Sequence, residues 1–213
     1  MKLFTIKSTN EKTLHKGHYK TFKHCVEAAN EAAINLEHAN LSHSNLSNAN
    51  LDGINLCNAN FTGSNLTGAN LSEANLSNSL FKDCDLYNTC LSESNLTNCD
   101  FTNASFGATD INGADISHSK FTTLSCFTLE FTQTKNMKNC EFTNVSGIKI
   151  PFSTPPIVIY GHNPQPLILL GNTFLKGHEI SNQTSFIGIL STASTLISSP
   201  IKPRKRKNIQ NYA

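Results

Sequence analysis

The chain has 213 residues, 17 Lys and Arg against 15 Asp and Glu, and a formal net charge of +2. Its charged fraction is 15%, below the ~25% usual for globular domains, so Asn, Ser and Thr must do much of the solvating. That length suits one domain with accessory ends. No apolar run reaches the roughly 18 residues of a transmembrane helix, and Met1 to Lys7 lacks the apolar core of a secretory signal, so a cytoplasmic protein is expected.

Residues 3–6 and 14–19 read as short strands around a polar turn at 8–12, a β-hairpin. Thr21 is placed to cap a helix in which Phe22, Cys25, Val26 and Ala29 recur at helical spacing. It should run to about Ala33. His15, His18 and His24 gather here, but no Cys or carboxylate spacing completes a metal site, and surface histidines are the expected reading.

From residue 34 to 131 the chain repeats one phrase: a small residue, Asn or Asp, a large apolar centre, Ser or Thr, then a variable residue. Residues 39–43, Ala-Asn-Leu-Ser-His, are one copy. Centres fall at every fifth position from Leu36 to Phe131 without a miss, which marks a repeat array. A period of five fits neither a helix nor a simple strand. The chain must turn a corner about every five residues, with the centre and the small residue inward. Phe61, Phe81, Phe101 and Phe121 are twenty residues apart, as rings stacked on coils of four pentapeptides would be. Ile34, Ile54, Leu124 and Leu129 break the small-residue rule and call for local widening or end effects. Asn136 stands where a centre is due, and Met137 and Phe142 resume the pattern one residue later, so a one-residue bulge is expected at a corner. Cys84, Cys99 and Cys140 take small inward positions and Cys126 a centre, which reads as packing in a reducing setting rather than disulfides. The many Asn-Leu-Ser and Asn-Leu-Thr triplets match the glycosylation sequon, but the repeat itself generates them.

This pattern closely resembles the pentapeptide-repeat family over residues 34 to about 145. The resemblance implies an all-β fold, a right-handed quadrilateral β-helix of about five to six coils, on the order of 25 Å long at ~4.8 Å per coil. Stacked Asn side chains would form amide ladders. Residues 1–33 would be a hairpin-helix N-terminal cap on a solenoid of residues 34–146, because a solenoid end exposes apolar surface and unpaired edges. They resemble the N-terminal extension of some bacterial and phage-encoded members.

The repeat dissolves at Gly147, and Pro151, Pro155 and Pro156 mark a boundary, since proline cannot continue a paired ladder. Residues 157–160 and 166–170 read as a second hairpin, with a turn at Gly171-Asn172 into a third short strand. Residues 147–180 are thus expected to be a β-hairpin C-terminal cap, and 181–213 a variable segment in which 186–197 fits helix or strand equally. Lys202, Arg204, Lys205, Arg206 and Lys207 form a basic tail that would attract a polyanion such as nucleic acid, anionic lipid or an acidic protein surface. A solvated tail is the plainer reading, and a host-directed bacterial effector is motivated by this run alone. The family resemblance also allows a homodimer through the C-terminal end, with no residue pattern of its own behind it.

Charge is unevenly spread: +3 over residues 1–35, −7 over 36–142 and +6 over 143–213. On the face with centres Leu51, Leu71, Leu91, Ile111 and Phe131 lie Asp52, Glu73, Glu93, Asp110 and Glu130, with no Lys or Arg. The Phe-column face carries Asp83, Asp100 and Glu141 beside Lys82 and Lys120. Family members that protect or inhibit DNA gyrase are thought to mimic duplex DNA with an acidic rod, which makes the stripe a candidate interaction site and gyrase a candidate partner. Its density argues against close mimicry. Duplex DNA carries one charge per ~1.7 Å, and five acids over a rod on the order of 25 Å are roughly threefold sparser. No convergent base and nucleophile, phosphate loop or metal-ligand pair appears, so an enzyme is not expected, nor a cofactor. The expected function is a non-catalytic protein-interaction scaffold.

Overall fold

The structure, a computed structural model, describes residues 1–122, 126 and 128–143, together with strands at 149–152, 157–159, 167–170, 173–176 and 179–182. Segment 186–197 and the basic tail lie outside the described residues. The chain divides into two units, Met1–Pro156 and Ile157–Ala213.

Strands β1 (Lys2–Lys7) and β2 (Thr13–Tyr19) pair antiparallel as a hairpin. Helix α1 (Phe22–Glu31) is capped by Thr21, whose hydroxyl accepts the His24 N–H at 3.3 Å, and it buries Cys25, Val26 and Ala29. The helix stops two residues short of Ala33. Ala33 turns left-handed at φ 51° while the Ala33 and Ile34 N–H groups reach back to Asn30 and Ala29, a Schellman-type ending that feeds the chain into the first coil.

Parallel bridges then join residues twenty apart along four sides, among them Asn40 to Asn60, Asn45 to Asn65, Asn50 to Asn70 and Asn55 to Asn75. We number the sides by their centres: Leu36, Leu56, Leu76, Leu96 and Ile116 on the first, the Phe column on the second, Leu46, Leu66, Leu86 and Phe106 on the third, and Leu51 to Ile111 on the fourth. The ladder is most regular on the second side, where β3 (Asp100–Phe101) pairs with β4 (Lys120–Phe121).

Each letter of the repeat has a mechanical reason. The N–H three residues after a centre bonds the centre's carbonyl, as Ala49 does to Leu46 at 3.0 Å, and the residue between them in the variable position has positive φ at every corner from His38 to His118. These are type II turns, which need a left-handed third residue. The variable position is therefore not free: it is filled largely by Asn, Gly, Asp and His, the types best suited to that conformation. The Asn or Asp before the centre accepts the N–H two residues on, for example Thr62 to Asn60 at 2.9 Å and Thr102 to Asp100 at 2.9 Å. That Asx turn needs only an acceptor oxygen, so Asp serves as well as Asn.

The interior is filled. Rings Phe61, Phe81, Phe101 and Phe121 stack at 4.8, 5.0 and 5.1 Å, tilted by at most 13°, and Phe131 meets Phe121 edge-on. Each such pair adds ~0.5–1.5 kcal/mol beyond burial. Small inward hydroxyls and thiols donate to the centre carbonyl of the preceding coil, as Ser79 does to Leu56 at 2.8 Å and Cys99 to Leu76 at 3.1 Å. They satisfy polar groups that burial would otherwise leave costly. Amide ladders run down the first side from Asn95 through Asn75 and Asn55 to Asn35 at 3.5, 3.0 and 3.2 Å.

Corner side chains lie down over the coil that follows. A Cβ at Gly63 would come 2.6 Å from the His43 ring, one at Gly68 would meet the Asn48 amide, and one at Gly113 the Glu93 carboxylate.

The expected bulge is present. The Lys135 N–H bonds Ala114, the place an in-register residue would take, while the Ile116 N–H goes to Asn136. Two residues thus oppose Asp115, which bridges to Asn136. A 3-10 turn over Phe131–Gln133 leads into this insertion. Strand β5 (Cys140–Thr143) resumes the second side, placing Phe142 opposite Phe121, and β6 (Lys149–Phe152) pairs antiparallel with β5.

The second unit contains β7 (Ile157–Ile159), β8 (Leu167–Leu170), β9 (Thr173–Lys176) and β10 (Glu179–Asn182), an antiparallel meander in sequence order. The hairpin and third strand read from the sequence correspond to β7, β8 and β9. Strand β10 was not anticipated.

Candidate functional site

With the interior occupied, the described chemistry of the solenoid is on its outside. All five acids of the fourth side, Asp52, Glu73, Glu93, Asp110 and Glu130, are exposed, and among the described residues none has a Lys or Arg within ion-pair distance. They do not form a single file. Asp110 precedes a centre and lies on the ladder below Cys90, with Glu130 in the same place in its own pentapeptide. Asp52 follows a centre. Glu73 and Glu93 occupy successive corners, at φ 56° each, with Gly53 and Gly113 one coil before and after them. At the strand rise the acids span a band ~10 Å wide. Asp110 also has a structural task, since its carboxylate accepts the Asn112 N–H at 2.9 Å. Glu130 accepts the Thr132 hydroxyl. Sequence reasoning placed these residues on one side but missed that position within the pentapeptide decides whether an acid is also an Asx cap.

The second side is electrostatically different. Lys82 meets Asp100 at 3.3 Å. Burial pushes the Asp100 carboxyl up, but hydrogen bonds from the Thr102 hydroxyl and N–H, with Lys82 beside it, hold it below its ordinary value. Asp115 on the first side is likewise held low against burial by Ser117, Asn136 and Lys135.

The seven cysteines are free. Burial pushes Cys99 and Cys140 up to about 12 and raises Cys84 and Cys126, so these thiols stay protonated as core residues. His15 bonds the Tyr19 hydroxyl at 2.8 Å and His24 the Thr21 hydroxyl at 2.7 Å. No group of three His, Cys, Asp or Glu suited to a metal ion occurs among the described residues. The basic tail, Lys202 to Lys207, is outside them. No helix among the described residues is long and apolar enough to cross a membrane.

A family model described as pentapeptide repeats, in eight copies, matches residues 39–78, 59–98 and 79–117. Comparison with curated proteins gives no match. Similar solved structures include the pentapeptide repeat protein Rfr23 of the cyanobacterium Cyanothece 51142, at 26% identity and a TM-score of 0.35, covering 44% of this chain and 60% of that one. A pentapeptide repeat protein of the Arabidopsis thaliana thylakoid lumen has 28% identity and a TM-score of 0.24, over 40% and 66%. QnrB1, a plasmid-mediated fluoroquinolone resistance protein, has 18% identity and a TM-score of 0.24, over 54% and 63%. The chain thus spans less than two thirds of the length of each, and at these TM-scores none of them bears on its function. The matched repeats and the parallel ladders twenty residues apart make residues 39–117 of this chain a pentapeptide-repeat array.

Proposed function

We propose that this chain is a non-catalytic protein-interaction scaffold, with the hairpin and helix capping the solenoid and its flat outer sides meeting a partner. The observation that carries this reading is the filled interior: rings, aliphatic centres and bonded hydroxyls leave outward side chains held at fixed spacing as the surface on offer. Affinity capture with the full chain, followed by reconstitution from purified components, tests it. A partner that binds with defined stoichiometry and is lost when one side is altered supports the scaffold. Failure of every captured protein to bind in purified form sinks it.

A second reading, modulation of DNA gyrase by an acidic face, is favoured by the five exposed carboxylates, which have no basic partner among the described residues. A supercoiling assay beside the variant Glu73→Gln, Glu93→Gln, Asp110→Asn decides it, because Asn at 110 keeps an acceptor for the Asn112 N–H while removing the charge. Inhibition or drug protection by the native chain, lost in the variant and steeply weakened by salt, is the expected result. Equal effects from both chains would remove the stripe from consideration.

A further inference from the structure

The first coil has no coil before it, and the N-terminal element makes up for this on two sides. On the second side the Asn40 N–H bonds the Lys7 carbonyl at 2.7 Å and Ser8 bridges Ala39. On the fourth, the Glu27 carboxylate accepts the Asn50 N–H at 3.0 Å, and on the third Lys23 Nζ donates to the Ser47 carbonyl at 3.2 Å. The third side is otherwise left open, at Asn45. One and two coils further on, the N–H groups of Asn65 and Asp85 bond Ser44 and Ser64 at 3.0 and 3.1 Å, yet the Asn45 N–H and C=O bond no described residue. Between Ala39 and Ser119 every small inward residue is buried except Ser44. Over this edge lies a groove of about 710 Å³, whose lining includes Phe4, Phe22, Lys23 and His43 and no carboxylate.

We propose that this groove takes an extended acidic peptide segment of a partner protein, added as a strand along residues 44–46. The strand edge supplies direction: one coil on, the Asn65 N–H donates to the Ser44 carbonyl and the Asn65 carbonyl accepts the Leu46 N–H, and a parallel peptide would serve Asn45 in the same way, with the carbonyl of the residue before the one opposite Asn45 accepting its N–H and the N–H of the residue after it donating to its carbonyl. Main-chain bonding of this kind gives affinity and flanking pockets give specificity. Phe4 and Phe22, with centroids 6.2 Å apart, offer an apolar seat for one side chain. Lys23 sets the charge, and the His43 ring, seated over Gly63, lines the groove beside it. The chain's own tail, with five basic residues between 202 and 207, has the wrong sign, and the convex acidic side of a second copy offers no free strand. The biological purpose of this site rests on the scaffold reading; its existence does not.

Amide hydrogen exchange and fluorescence anisotropy on the full chain test it, with a labelled octapeptide alternating glutamate and valine around one phenylalanine. The expected result is binding that slows Asn45 exchange by about tenfold or more at saturation and leaves Asn65 unchanged. A lysine counterpart and a glutamate peptide N-methylated at alternate positions should not bind. Lys23→Gln with His43→Gln should weaken binding about five- to tenfold, with the exchange of Asn65 unchanged. The peptide comparisons need no variant, so a folding defect cannot imitate them. Asn45 as protected as Asn65 in the free chain, no binding, equal binding of the lysine peptide, or binding without protection at Asn45 would each overturn the proposal. None of these touches the scaffold reading, whose own test is a partner on the outer sides.

Discussion

The second and fourth sides of the solenoid are written in the same five-letter repeat and solve different problems. The second stacks phenylalanines and neutralises an acid with Lys82. The fourth is centred largely on leucine and leaves its acids without a described basic partner. The backbone is indifferent to this contrast, because most corners on both sides are held by a turn bond, an Asx acceptor and an inward small residue. Inner letters therefore set stability, and outer letters are available for charge.

The contrast is broken most severely from inside. Phe81→Ala would open a gap between Phe61 and Phe101 and should cost ~3–5 kcal/mol, read from urea unfolding. Leu91→Ala on the fourth side should fall nearer ~2–5 kcal/mol, and a smaller loss at Phe81 than at Leu91 would mean that the ring column adds nothing. Asp100 tests the next level down. Asp100→Ala loses both the Thr102 cap and Lys82, at ~1–2 kcal/mol, whereas Asp100→Asn retains the cap. Because the folded Asp100 carboxyl is held below its ordinary value, its contribution is present above the unfolded value of about 3.9 and fades as pH falls through the lower folded value. Stability measured against pH should accordingly fall less steeply in acid for Asp100→Asn than for the native chain. The smallest effect belongs to the fourth side. Glu73→Gln with Glu93→Gln relieves like charges one coil apart and should stabilise by a few tenths of a kcal/mol at low salt, vanishing near 1 M salt. A loss above ~1 kcal/mol would show that these carboxylates have structural partners.

Much of the fold could be read directly. The fivefold period locates every inward centre, the phenylalanine spacing gives the coil length, and Asn136 standing where a centre is due reveals the bulge. Less visible was why Asn and Asp precede the centres: ladder formation alone would favour amides, and only the bond to the N–H two residues on explains Asp100, Asp110 and Asp115 there. The variable position looked free because His, Glu and Ala occur among its Asn and Gly residues, although all share positive φ. The candidate surfaces were partly legible. Residue number modulo twenty places the acids on one side, but their spread across it depends on position within each pentapeptide. The open edge at Asn45 could not be read at all, because it depends on which carbonyls and carboxylates of residues 1–33 reach which side of the first coil.

Glycines 63, 68 and 113 make room for the corner side chains of the preceding coil, and this gives an apparently interchangeable array a grammar of neighbours. A coil lifted out and spliced elsewhere would keep its inward letters, and where Glu93 came to lie over a residue with a Cβ its exposed carboxylate would have to swing aside. Lengthening the solenoid therefore has preferred joints. A twenty-residue insertion disturbs least where a corner and its successor are not matched in this way, and a graft that crosses the 93 to 113 seam keeps the Glu93 side chain in place when it carries both residues with it.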